Sequence, residues 1–166
     1  MHRPKGWLYG LGGDDLIKAG GGSDHIFGGK GNDALEGGAQ NDTFYFDFGD
    51  GGDKITDFRW SNNPAAERDV IALSSDIDGY WAFANDGYIR IVTLADNTDN
   101  GVSDPVKAGS IGLYGVTASM WESWGGHVDT YSDPTTGAVV AGSNAMQTSD
   151  MGGLFQFRQE ADFIIA

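Results

Sequence analysis

The sequence predicts an all-β chain: a coil of short stacked strands over residues 1–58, built from glycine- and aspartate-rich repeats, and a β-strand cap over 59–166. The two parts form one continuous module. Three observations carry this prediction. A nine-residue motif recurs in register between Tyr9 and Thr56. The acids are uneven, with 20 aspartates among 24 acidic residues beside 27 glycines, a turn-forming rather than a helix-surface composition. Beyond residue 74 the chain reads as short apolar runs separated by turn signals, as small β domains do.

Aligned on aspartate, the copies are YGLGGDDLI (9–17), AGGGSDHIF (19–27), GGKGNDALE (28–36) and GGAQNDTFY (37–45), with a degenerate fifth, FGDGGDKIT, at 48–56. The third fits G-G-x-G-x-D-x-U-x at every specified position, U being a large apolar residue. This alignment makes Asp14, Asp24, Asp33, Asp42 and Asp53 the sixth-position aspartates, with Leu16, Ile26, Leu35, Phe44 and Ile55 as their apolar partners. Glycine permits positive φ and close backbone approach, so the first six residues can form a tight loop. The last three form a strand whose eighth-position side chain points inward. One copy makes half a coil, so copies two apart stack at a spacing of about 18 residues. Leu16 is therefore expected over Leu35, and Ile26 over Phe44.

Between stacked loops a cation can take carboxylate and main-chain oxygens from both. About six to eight oxygens in irregular geometry suit Ca²⁺, whereas Mg²⁺ demands a tighter octahedron. Without an ion the carboxylates repel, inward carbonyls lack donors, and glycine ordering is costly. The stretch from Tyr9 to Phe58 holds 14 glycines and nine aspartates. It is predicted to be disordered without calcium, because metal binding and folding are then one equilibrium.

In the cap, WAFAND (81–86) and YIRIVTLA (88–95) flank Asp86-Gly87, a hairpin signal. SIGLYGV (110–116) is a further strand, and a short helix is expected from Ala118 to Trp124, capped by Thr117 and stopped by Gly125-Gly126. AVVAG (138–142), GLFQFRQ (153–159) and ADFIIA (161–166) complete the strand-like runs. The segment from Asp96 to Gly101 is no EF-hand, since Lys107 stands where the loop's final glutamate belongs. The segment from Asp76 to Gly79 fails in the same way.

A net charge of −14 excludes phosphate backbones and anionic membrane surfaces as partners. No run of apolar residues is long enough for a membrane-spanning helix. With no cysteine there is neither a disulfide framework nor a thiolate nucleophile. The three histidines, His2, His25 and His127, make no H-E-x-x-H pair, and no G-x-S-x-G elbow occurs. No catalysis is expected. The first ten residues lack the apolar segment of a Sec-type signal peptide, so export is expected to use another signal.

The repeats resemble the RTX family, the hemolysin-type calcium-binding repeats of secreted bacterial proteins. The resemblance implies a parallel β-roll in which Asp14, Asp24, Asp33, Asp42 and Asp53 bind calcium together with loop carbonyls such as those of Gly10, Gly12, Gly28 and Gly31, about three to five ions in all. NDTFYF (41–46), DKITDF (53–58) and RDVIAL (68–73) are similar to the capping hairpin of serralysin-type relatives. There an extra calcium is held by the aspartate at the place of Asp53 and an upstream one, here Asp47 or Asp50. YIRIVTL and SIGLYGV look like the strands that follow the repeats in RTX modules. The C-terminal Asp162-Phe163-Ile164-Ile165-Ala166 resembles the signal read by type I secretion transporters. That resemblance implies a bacterial chain secreted to the extracellular space.

Three further expectations remain. The five tryptophans, Trp7, Trp60, Trp81, Trp121 and Trp124, are expected in the core or cap, with a carbohydrate platform as the alternative, since RTX modules accompany alginate epimerases. His25 is expected to be simply exposed. A roll beginning at Tyr9 has an open end that an upstream domain of a larger toxin or enzyme, or a second copy, could cover.

Overall fold

The computed structural model describes residues 5–61, 63, 65–77, 79–85, 87–97, 104–125, 131–132, 139–140 and 154–157. The glycine-rich loops leave only short segments free to extend, so the first strands are brief: β1 (Trp7–Tyr9), β2 (Leu16–Lys18), β3 (His25–Phe27), β4 (Ala34–Glu36), β5 (Thr43–Phe46), β6 (Gly51–Ile55) and β7 (Val70–Leu73). Successive strands alternate between two parallel sheets. β1, β3, β5 and β7 lie side by side in one, and β2, β4 and β6 in the other. This is the parallel β-roll.

The registers set one inward apolar ladder in each sheet. Leu8, Ile26, Phe44 and Ile71 stack in the first, and Ile17, Leu35 and Ile55 in the second. Inside the coil these side chains are sealed from solvent, Ile26, Leu35, Phe44, Ile55 and Ile71 each being 0% exposed. The expected stack of Ile26 on Phe44 is present.

Two expectations about the first coil are corrected. The roll starts upstream of Tyr9, since β1 begins at Trp7 and pairs with β3. Leu16 does not lie over Leu35: it pairs with Ala34, points outward and is 70% exposed, while Ile17 meets Leu35. The first copy therefore runs from Gly10 to Lys18, contiguous with the second. Aligning it on Asp14 shifted it by one residue, and such a shift exchanges inner and outer faces.

The cap continues both sheets. β8 (Gly79–Asn85) and β9 (Tyr88–Asn97) form the expected hairpin, with Gly87 at φ 80° in the turn. β10 (Asp104–Tyr114) pairs antiparallel with β9 and parallel with β6, placing Ile111 beside Asp53 and Leu113 beside Ile55. Helix α1 (Ala118–Ser123) follows, and the Thr117 hydroxyl accepts the Met120 N–H at 3.3 Å as its cap. Its Trp121 is fully buried, edge-on to Tyr80 and Phe155. β11 (Tyr131–Ser132) and β12 (Val139–Val140) pair antiparallel. β13 (Phe155–Phe157) adds to the outer edge of β7 in parallel, which seals that end of the first sheet. The C-terminal run 161–166 lies outside the described residues.

Candidate metal centre

Asp15, Asp24, Asp33, Asp42 and Asp69 each stand immediately before a strand and Asp53 lies within β6, and these aspartates fall into two columns. In the first, Asp24 accepts the Gly6 N–H at 2.7 Å, Asp42 accepts the Asp24 N–H at 2.9 Å, and Asp69 accepts the Asp42 N–H at 3.0 Å, each through Oδ1. In the second, Asp33 accepts the Asp15 N–H at 2.8 Å and Asp53 accepts the Asp33 N–H at 2.8 Å. One carboxylate oxygen is thus committed to the main chain of the preceding coil. The other is not: Oδ2 of Asp15, Asp24, Asp33 and Asp42 is buried with no hydrogen-bond partner.

A buried, unpartnered carboxylate oxygen is costly, and the electrostatics reflect it. Burial, aggravated by the neighbouring aspartates, raises the Asp33 carboxyl above its ordinary value. The same causes push Asp42 up to about 6 and Asp53 to about 7. Asp69 also reaches about 7, burial leading and Asp42 adding to it. Opposing contributions come from backbone donors to all four and from Arg59 to Asp42 and Asp69.

Main-chain hydrogen bonds lock the loops at the same spacing. Lys30 N–H donates to Leu11 O at 3.0 Å and Gly13 N–H to Lys30 O at 2.7 Å; Ala39 and Gly20 repeat the first bond at 2.8 Å. Such close stacking requires glycine at the second loop position. A Cβ on Gly38, at φ 91°, would collide with the Gly20 carbonyl of the coil before. Leu11 holds the corresponding place in the first loop at φ 76° and stays 78% exposed, with no described coil in front of it.

The donor set fits a hard cation. Among the described residues no three histidine or acidic side chains converge as a metal cluster, so an ion here would combine one or two carboxylates with main-chain oxygens. The unpartnered Oδ2 atoms of Asp15, Asp33 and Asp42 pack against Gly10, Gly28 and Gly37, the first residues of their own loops. Asp14, Asp24, Asp33, Asp42 and Asp53 are the expected ligands, and the last four of them occupy the two columns. Asp14 does not: it is exposed, and its Oδ1 accepts Asn32 N–H at 2.8 Å and Asn32 Nδ2 at 3.3 Å. Asp15 holds the column position instead.

Asp50 contributes its carbonyl to Gly31 N–H at 2.7 Å and its Oδ2 to Asp47 N–H at 2.6 Å, and its charge bears on Asp53. Of the named glycines, Gly10 O accepts Gly12 N–H at 3.2 Å and Gly31 O accepts Gly52 N–H at 3.3 Å. Gly12 bridges to Lys30, and the Gly28 carbonyl packs over Gly10.

The sequence reading missed Asp15, Asp57 and Asp69. A contiguous 10–18 copy would have found Asp15. Asp69 stands two residues before Ile71, as Asp42 stands two before Phe44, and this spacing was a readable signal. Asp57 had none: its carboxylate accepts Gly37 N–H at 3.0 Å and Gly38 N–H at 2.7 Å from across the turn.

His25 is not simply exposed. It stacks on Trp7 at 4.1 Å, and its Nδ1 lies 2.7 Å from the Tyr45 hydroxyl, within an outer-face aromatic ladder that includes Tyr9 and Phe27. The rings of this ladder face one another. Trp60 and Trp121 are buried, Trp124 is half-buried, and Trp7 is 56% exposed. The Trp81 side chain, His2 and His127 lie outside the described residues.

The family model of the RTX calcium-binding nonapeptide repeat, in four copies, matches residues 9–44 and 19–55. No curated protein matches the chain. Among solved structures, the chain is similar to the AlgE6R3 subunit of the mannuronan C5-epimerase of Azotobacter vinelandii, at 25% identity over 69% of this chain and 73% of that one, with a TM-score of 0.25.

Proposed function

We propose that this chain is a non-catalytic calcium-binding β-roll module that folds on meeting calcium outside a bacterial cell, a reading supported by the match of residues 9–55 to the RTX calcium-binding nonapeptide repeat. The observation that carries the reading is the set of four buried Oδ2 atoms without partners, at Asp15, Asp24, Asp33 and Asp42. Bound calcium supplies positive charge and oxygen coordination to such atoms. The chain's own residues do the rest. The Oδ1 atoms fix each carboxylate by accepting an N–H from the coil before. The glycines let successive loops approach closely, and the apolar ladders align them. Residues 1–58 serve as the roll and 59–166 as its cap.

Each ion bound only by the folded state adds about 2.7 kcal/mol at a hundredfold excess over its Kd. Calcium is scarce in cytosol and abundant outside, so the chain can pass unfolded through a type I transporter and fold afterwards, with 162–166 acting as the export signal. Far-UV circular dichroism of the full chain tests the central claim. In EDTA at neutral pH the β signal of the roll should be lost, and calcium should restore it. An unchanged spectrum in chelator overturns the proposal. Deletion of 162–166 should abolish export in a host carrying the matching transporter, with secretion assayed in the medium.

A further inference from the structure

The first aspartate column ends differently from the second. After loop 37–42 the next coil is the irregular segment 56–69, which drapes over it in place of another repeat. Asp57 takes the Gly37 and Gly38 N–H groups, and Asn41 Oδ1 accepts the Arg68 N–H at 2.9 Å. Within this segment Arg59 bonds in three directions. Its main-chain N–H donates to Asp69 Oδ2 at 2.7 Å, its Nη2 donates to the Gln40 carbonyl at 3.4 Å, and its Nη1 pairs with Glu67 at 3.2 Å.

The result at Asp69 is unlike the rest of the column. Both of its oxygens have protein donors, Asp42 N–H on Oδ1 and Arg59 N–H on Oδ2, whereas Asp24 and Asp42 each retain a buried oxygen with none. The second column ends differently, Asp53 lying beside Ile111 of β10 rather than under an irregular segment.

We propose that Arg59 is a built-in substitute for calcium: its guanidinium, bonded to the Gln40 carbonyl and paired with Glu67, closes the space between loop 37–42 and segment 56–69, so the first column takes no ion beyond Asp42. The inference rests on the calcium reading above, and concerns only where the ions stop. A guanidinium suits this role because it stays charged and its planar donors reach a carbonyl and a carboxylate at once. Gln40 agrees with a modified final loop, since it stands at φ 83° where the other copies have glycine.

The test is calcium stoichiometry of the full chain and of its Arg59→Met and Arg59→Lys variants by isothermal titration calorimetry, with elemental analysis of the loaded proteins. Arg59→Met should bind one more ion per chain than the parent, and Arg59→Lys the same number as the parent. Equal stoichiometry in the parent and Arg59→Met overturns the proposal. A crystal structure of the unmodified chain grown with calcium provides a readout that does not depend on the variants folding. It should place an ion between loops 19–24 and 37–42 and none between 37–42 and 56–69. An ion in the latter space overturns the inference while leaving the calcium reading intact, whereas a chain that binds no calcium overturns that reading first.

Discussion

A single carboxylate oxygen separates the two halves of each aspartate's task. Oδ1 of Asp24, Asp33 and Asp42 is a structural acceptor for the neighbouring coil, and Oδ2 is buried without a partner at these three and at Asp15. This division predicts different behaviour for adjacent residues. Asp15→Asn should raise the calcium concentration at half-folding by about tenfold, since it removes a ligand charge. Asp14→Asn should change it by less than about twofold, because Asp14 is exposed and outside the column. Circular-dichroism titrations of both variants decide the register, and the reverse ranking would restore Asp14 as the ligand. Three column carboxyls, Asp42, Asp53 and Asp69, set a pH dependence. They titrate near 4 in an unfolded chain but at about 6 for Asp42 and about 7 for Asp53 and Asp69 when folded without metal. Stability from this source is full below about pH 4 and is lost as pH rises through about 7. In EDTA, acidification from about pH 8 to about pH 5 should therefore increase the β signal. Over the same range protons compete with calcium, so the calcium midpoint should move to higher concentration as pH falls. A midpoint independent of pH contradicts the assignment of Asp42 and Asp53 as ligands.

Each loop-and-strand unit is a compromise between close approach and side-chain content. Glycine at the second loop position is required where a coil packs against it, as the Gly38 site shows, and a leucine is accommodated where the described residues leave the position exposed, as at Leu11. Gly38→Ala should destabilise the calcium-loaded chain by about 1–3 kcal/mol through the carbonyl collision and the positive φ. Leu11→Gly should leave the Tm unchanged or raise it. Thermal melts in saturating calcium make the comparison, and equal effects would remove the loop-stacking account. Much of this level could be read from the sequence. The hairpin of β8 and β9, the Thr117-capped helix and the ladder positions Ile26, Leu35, Phe44 and Ile55 follow from local patterns of period two, turn residues and caps. The first copy was misread because two consecutive aspartates, Asp14 and Asp15, satisfy the same local pattern, and only pairing of β2 with β4 distinguishes them.

In the whole molecule, the cap is an extension of the roll's own sheets. β10 joins β6 in parallel and β13 joins β7, so edges that would otherwise be open are covered by chain from 50 to 100 residues further on. Binding of the proposed three to five calcium ions would bring the charge of −14 to about −8 to −4. What the residues alone established was the repeat, its oxygen-rich chemistry and the inward ladder, because spacing and alternation are local and need no knowledge of distant chain. What awaited the folded molecule was which aspartate enters the column, that Asp69 joins Asp42 across 27 residues, and that Arg59 ends it. Those choices rest on register between strands far apart in sequence. Register is set by packing and edge pairing among elements whose order in space no local pattern encodes.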